Sequence, residues 1–140
     1  MAEVIKTYKE FLTFNNAANA YIGSVGKEEN KISKALQKVI SKQLIPLGEI
    51  YTDELDTIEL NNCLTDATTK AILLDGEGRR KFSVESQLKF KEEAKSLLKK
   101  EVVFHSRIPE GLDDDLINSL TPFQREAFSG IVIPIQPIED

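Results

Sequence analysis

The sequence predicts a helix-dominated α+β fold, with a long Pro-kinked helix, a short β-hairpin, a second helix and a small antiparallel sheet. Three observations predict it. Apolar residues recur at helical spacing over three stretches, about 9–22, 28–60 and 83–100. Two short runs, Val4-Ile5-Lys6-Thr7-Tyr8 and Val102-Val103-Phe104-His105, have the β-branched and aromatic content of strands. One acidic, Gly-supported turn, Asp75-Gly76-Glu77-Gly78, separates two short segments that can pair.

The first helix carries Phe11, Leu12, Ala17, Ala18, Tyr21 and Ile22, and Gly23 and Gly26 bracket the turn that stops it. The long helix is marked by Ile32, Leu36, Val39, Ile40, Leu44, Leu47, Ile50, Tyr51, Leu55 and Ile58. Pro46 lies inside this pattern. It lacks a backbone N–H and crowds the carbonyl four residues back, so it should kink the helix or split it in two. Ala71-Ile72-Leu73-Leu74 and Arg79-Arg80-Lys81-Phe82 form the arms of the hairpin. Ser83 can cap the next helix, with Glu85 in its positive first turn and Leu88, Ala94, Leu97 and Leu98 on an apolar stripe. Phe82 and Leu97 are expected to be buried. The strand at 102–105 ends near Ile108-Pro109, and Asp113 or Asp114 can cap a short helix through Leu120. Thr121-Pro122-Phe123-Gln124 combines a cap residue, Pro at the first helical position and Gln where a capping box needs it. Gly130 ends that helix. Ile131-Val132-Ile133-Pro134-Ile135-Gln136-Pro137-Ile138 is apolar but broken by prolines, which confines it to an edge strand or an extended arm. The expected organisation is a single compact domain over 1–133 and a C-terminal arm over 134–140.

Composition narrows the function. A chain of 140 residues can bury about 68% of the surface its unfolded form exposes, so it needs no metal or disulfide to fold. One cysteine, Cys63, and one histidine, His105, leave no intrachain disulfide and no Cys/His zinc site. The N-terminal residues lack the apolar run of a signal peptide, and no stretch approaches a membrane span. The expected location is a cytoplasm. Net charge is −5, but it falls in blocks. Residues 27–48 carry five Lys against two Glu, and 49–78 carry eight acids against Lys70. Residues 79–101 carry eight bases against four acids. The acidic 49–66 half-helix and the Lys-rich helix after Ser83 should therefore run antiparallel, with opposite charges adjacent. The acidic total argues against a nucleic-acid partner.

Several motifs tempt a chemical reading. Gly23-Ser24-Val25-Gly26-Lys27 looks like the end of a phosphate loop, but Glu28 stands where Ser or Thr would hold magnesium, and a helix precedes it. Asp75 and Glu77 lack the alternating oxygen ligands of a calcium loop and read as a turn. Asp113-Asp114-Asp115 reads as a helix start, because consecutive carboxylates there point apart. No motif places a nucleophile or second acid beside His105, and Cys63 reads as a packed thiol. No catalytic residue, cofactor or metal is therefore assigned.

From about residue 30 to 133 the layout resembles a family of small tailed-phage proteins of unknown function. The resemblance rests on Leu44-Ile45-Pro46-Leu47, Tyr51, Asp75-Gly76, Phe82, Leu97-Leu98, Glu101, Ile108-Pro109, Leu120 and Gly130-Ile131-Val132. It implies a phage-encoded protein in the host-cell cytoplasm or in the virion, and it supplies no catalytic residues. Two functions then compete. One is a non-enzymatic accessory or assembly protein working through a protein partner or self-association, with Ile131, Ile133, Ile135 and Ile138 as the partner-binding residues. The other is a phage inhibitor of a host enzyme or defence system, in which acidic surface blocks a basic groove.

Overall fold

The computed structural model describes residues 2–136. Its helices are α1 (Tyr8–Val25), α2 (Lys31–Val39), α3 (Ile45–Asn62), α4 (Val84–Leu97), α5 (Asp114–Asn118) and α6 (Pro122–Phe128). Its strands are β1 (Glu3–Thr7) and β2 (Glu101–His105). This is a helix-dominated α+β fold with one small antiparallel sheet. The described residues group into two compact units, 2–48 with 101–136, and 49–100.

The first unit is built on an aromatic spine. Tyr8, Phe11, Phe14, Ala17, Ala18 and Tyr21 recur at helical spacing and form the buried face of α1. Phe104 of β2 enters between Phe11 and Phe14, with ring centroids 6.0 and 5.8 Å away. Phe128 of α6 enters between Phe14 and Tyr21, at 5.7 and 6.0 Å. Burying these rings, together with Ile32, Leu36 and Val39 of α2, removes a large apolar area from water and holds the unit together. Thr7 ends β1 and begins α1 at once. Its side chain accepts from the Glu10 N–H, and the Glu10 carboxylate accepts from the Thr7 N–H.

β1 and β2 pair antiparallel, with Glu3 opposite His105 and Thr7 opposite Glu101. The Ser106 N–H donates to the Ala2 carbonyl, so residues 102, 104 and 106 of this segment bond toward β1. The backbone of His105 then faces the outer edge, where the Gln43 amide meets it. The His105 N–H donates to Gln43 Oε1 at 2.7 Å, and Gln43 Nε2 donates to the His105 carbonyl at 2.9 Å. The buried glutamine thus stands in for a third strand and blunts an open edge.

Gln43 reaches that edge from a widened turn in the long helix. The helical run continues past Pro46 but widens just before it: residues Ile40–Leu44 form a π turn, in which the Ile45 N–H donates to the Ile40 carbonyl. Pro46 has no N–H to give the Lys42 carbonyl, and its ring crowds that carbonyl, so the wider turn absorbs the fault and α3 restarts at Ile45.

Residues 131–133, just after α6, form neither of the expected alternatives, an edge strand or an extended arm. The Ile131, Val132 and Ile133 N–H groups all point to the Phe128 carbonyl, at 3.0, 3.1 and 3.3 Å, so the chain curls over the helix end. Gly130 makes this possible with φ +78°, where a side chain would be strained. Residues 131–133 sink into the core, and the Ile131 carbonyl accepts from the Arg107 N–H at 2.6 Å.

Candidate functional site

The second unit, residues 49–100, has a different physical character. Among its residues only Asn62, Cys63 and Leu97 are buried, while Ile50, Leu60, Ile72, Leu73, Leu74, Val84 and Leu88 are all exposed. Its apolar interior is thin, with Leu55, Ile58, Phe82, Phe90 and Leu98 half-buried around Cys63 and Leu97, and hydrogen bonds and ion pairs add to it. The Leu73 N–H donates to the Leu64 carbonyl, the Leu64 N–H to Lys81, and the Lys81 N–H to Leu73, closing a ring of three segments. The predicted hairpin around the Asp75 turn is present in minimal form, as the single bridge Leu74–Arg80, and a second single bridge, Thr65–Ile72, closes the Asp66 turn before it.

Both turns of this ring are organised by a carboxylate. Asp75 Oδ1 accepts from the Glu77 and Arg79 N–H groups, at 2.8 and 3.0 Å. Those N–H groups, Arg79's foremost, hold the Asp75 carboxyl below its ordinary value. Asp66 does the same for its own turn, accepting from the Thr69 and Thr68 N–H groups, and its carboxyl is lowered for that reason. The Arg80 guanidinium ties the ring to α3, with Nη1 at 2.6 Å from Asp56 and 3.0 Å from Glu59. Lys100 reaches Glu54 at 3.1 Å, and Asn62 donates to Glu93 at 3.2 Å. These two contacts run in opposite chain directions, so α3 and α4 are antiparallel; the opposite-charge contact is made by Lys100, just past α4, with Glu54.

An open groove of about 890 Å³ lies between these parts. Ile72, Leu74, Phe82 and Phe90 line it together with the charged Asp56, Glu59, Asp75, Arg79 and Arg80. Phe82 and Phe90 stack obliquely, 5.5 Å apart. Leu97 is buried as expected, but Phe82 is only half-buried, because one side of its ring borders the groove. Leu88, expected on the packed stripe of α4, is instead 58% exposed, beside Val84 at 83%. Leu88 and Leu97 are nine residues apart, half a turn out of phase at 3.6 residues per turn, so one helix face cannot hold both. Val84 and Leu88, four apart, share the outward face.

The other sequence-derived candidates fall elsewhere. Ile131 and Ile133 are buried in the first unit, so they are not offered to a partner; the curl at Gly130 turns them inward. Ile135 is 83% exposed, and Ile138 lies outside the described residues. His105 is exposed on β2 and engaged through its backbone by Gln43. Cys63 is buried, and its thiol donates to the Leu60 carbonyl at 3.4 Å. Asp113 caps α5, accepting from the Asp115 N–H. Gly23-Ser24-Val25 belong to the last turn of α1, the wrong context for a phosphate loop. Among the described residues no three His, Cys, Asp or Glu side chains gather to hold a metal, and no helix is long and apolar enough to cross a membrane.

No family model, curated protein or solved structure matches this chain.

Proposed function

We propose that the protein is a non-enzymatic accessory or assembly factor, of the kind encoded by tailed phages, that works through protein–protein contacts made by residues 49–100. One observation carries this reading: the unit buries three residues and leaves seven large apolar side chains exposed. Isolated apolar residues on a surface are ordinary, but a unit with a thin interior and several such residues has surface left to cover. The groove adds open concave surface with mixed apolar and charged lining. A second copy of the chain is the simplest partner.

Sedimentation of the full chain across a wide concentration range tests the reading, alongside Val84→Asp/Leu88→Asp. Both positions are exposed, so the substitutions leave the fold intact. Association that the double variant abolishes is the expected result. A chain that stays monomeric at every concentration, and is absent from purified virions, refutes it. Early expression together with absence from virions would favour the host-inhibitor reading.

A further inference from the structure

The small sheet has one capped edge and one open edge. Gln43 caps the outer side of β2. In β1, residues 4 and 6 face 104 and 102 and bond toward β2, so the backbone groups of Glu3 and Ile5 point to the opposite side. The Thr7 N–H points the same way and is taken by the Glu10 carboxylate at 3.1 Å. The Glu3 carbonyl and the Ile5 N–H have no partner among the described residues.

A cavity of about 340 Å³ lies along this open edge. Its lining includes Lys6 and Glu10, the residue that receives the outward Thr7 N–H. Buried Phe14, Phe104 and Ile131 form its floor, and Phe123 of α6 forms a wall. Phe123 is 55% exposed, the one aromatic ring among the exposed large apolar side chains of the described residues. Hydration accounts for a free strand edge, but not for a ring left open beside an apolar hollow.

We infer that residues 137–140 of the same chain dock here as a third strand, parallel to β1. These residues lie outside the described ones, and the chain leading to them sets the direction. The Arg107 N–H holds the Ile131 carbonyl and the neighbouring Ser106 N–H reaches Ala2, so the tail leaves the core at the Ala2 end of β1. The Gln136 N–H is then tied to Ser129 Oγ at 2.8 Å. Four further residues span about 13 Å, enough to run from Ala2 to Lys6. In a parallel ladder a residue bonds to the two neighbours of the residue it faces. Ile138 opposite Val4 therefore donates to the Glu3 carbonyl and accepts from the Ile5 N–H, the two free groups. Pro137 needs no donor in this register. Ile138 then shares the inner side of the sheet with Val4 and Phe104, over the cavity. Asp140 comes opposite Lys6, whose pair with Glu10 is long at 3.9 Å. A slip of one residue either way turns Ile138 outward, and one of the two slips sets Pro137 where a donor is needed. Docking closes an edge that otherwise invites another chain, and it does not rest on the association proposed for residues 49–100.

NMR of the full chain in dilute solution tests this. The expected result is nuclear Overhauser contacts between the Ile138 methyl groups and the Phe123 ring. The Ile5 amide should also exchange about tenfold or more slowly than in a chain ending at Gln136. Ile138→Asp, which keeps the chain length, should match the truncated chain, while the His105 amide on the Gln43 side keeps its rate in all three. Equal Ile5 exchange in the full and truncated chains overturns the inference, as does the absence of Ile138–Phe123 contacts. Contacts seen only between differently labelled copies in a mixed sample would put a second copy's segment at this edge and overturn the intrachain assignment.

Discussion

Replacing Phe104 and Phe82 by alanine, one at a time, separates the two units by their energetics. Phe104 is fully buried and touches two rings of the aromatic spine, Phe11 at 6.0 Å and Phe14 at 5.8 Å. Truncating it removes a whole phenyl group from close-packed surroundings and leaves a cavity that α1 and α6 cannot readily fill. Losses of this kind run to about 3–5 kcal/mol, and two aromatic pairs disappear with it, so the upper part of that range is expected. In a domain stable by about 5–15 kcal/mol this is a large fraction, and it corresponds to a fall in Tm of about 10–20 °C. Phe82 keeps one ring contact and already has one side open to the groove. Its truncation forfeits roughly half the transfer energy of a buried Phe and one ring pair, about 1–2 kcal/mol in all. Urea denaturation followed by far-UV circular dichroism measures both. Equal losses, or a loss below about 1 kcal/mol for Phe104→Ala, would show that the core is not where the aromatic spine places it.

Gln43→Ala removes both hydrogen bonds at the outer edge of β2; it should cost about 1–2 kcal/mol and speed hydrogen exchange at the His105 amide, and an unchanged His105 rate would contradict the edge-capping role. Asp66 and Asp75 have lowered carboxyl pKa values in the folded state, so the stability they add is present above about pH 4, the unfolded value, and is lost as pH falls through the folded one. NMR of the Thr68, Thr69, Glu77 and Arg79 amides should show both turns loosening together in acid, and turns unaffected by full protonation would refute the assignment. Cys63→Ser and His105→Gln should leave association unchanged, since the thiol packs at a helix end and His105 is used through its backbone. A folded pair of variants that both lose function would favour an enzyme instead.

The sequence made some elements legible and concealed others for identifiable physical reasons. Local signals served well: Ser83 and Thr121 cap α4 and α6 as their neighbours announce, because the cap is decided within four residues. The fault at Pro46 was legible, but not the π turn just before it that delivers Gln43 to a strand edge 62 residues away in sequence. Phe14 joins the spine in phase with Phe11 and Ala18, yet it stands outside the sequence-derived stripe. The C-terminal isoleucines misled because apolarity says that a segment needs cover and not which surface supplies it. At Gly130 the chain turns back and the first unit covers Ile131 and Ile133 itself. The exposed Val84–Leu88 face was within reach of sequence, since Leu88 is half a turn out of phase with Leu97. The sparse interior of residues 49–100 was not, because the segment's composition is ordinary and only tertiary placement leaves its apolar groups outside.

Hydrogen–deuterium exchange of the full chain, read by mass spectrometry in dilute solution and again under conditions of association, tests the central claim most directly. Residues 49–100 rest on a thin apolar interior with ion pairs and turn hydrogen bonds, each of these a weak contribution to stability, whereas α1, α2 and β2 surround the aromatic spine. The account predicts fast exchange across 49–100 in the dilute protein, slow exchange in α1, α2 and β2, and new protection on association concentrated at 72–90. Slow exchange across 49–100 in the dilute monomer, or protection that appears in α1 and α2 instead, would contradict it.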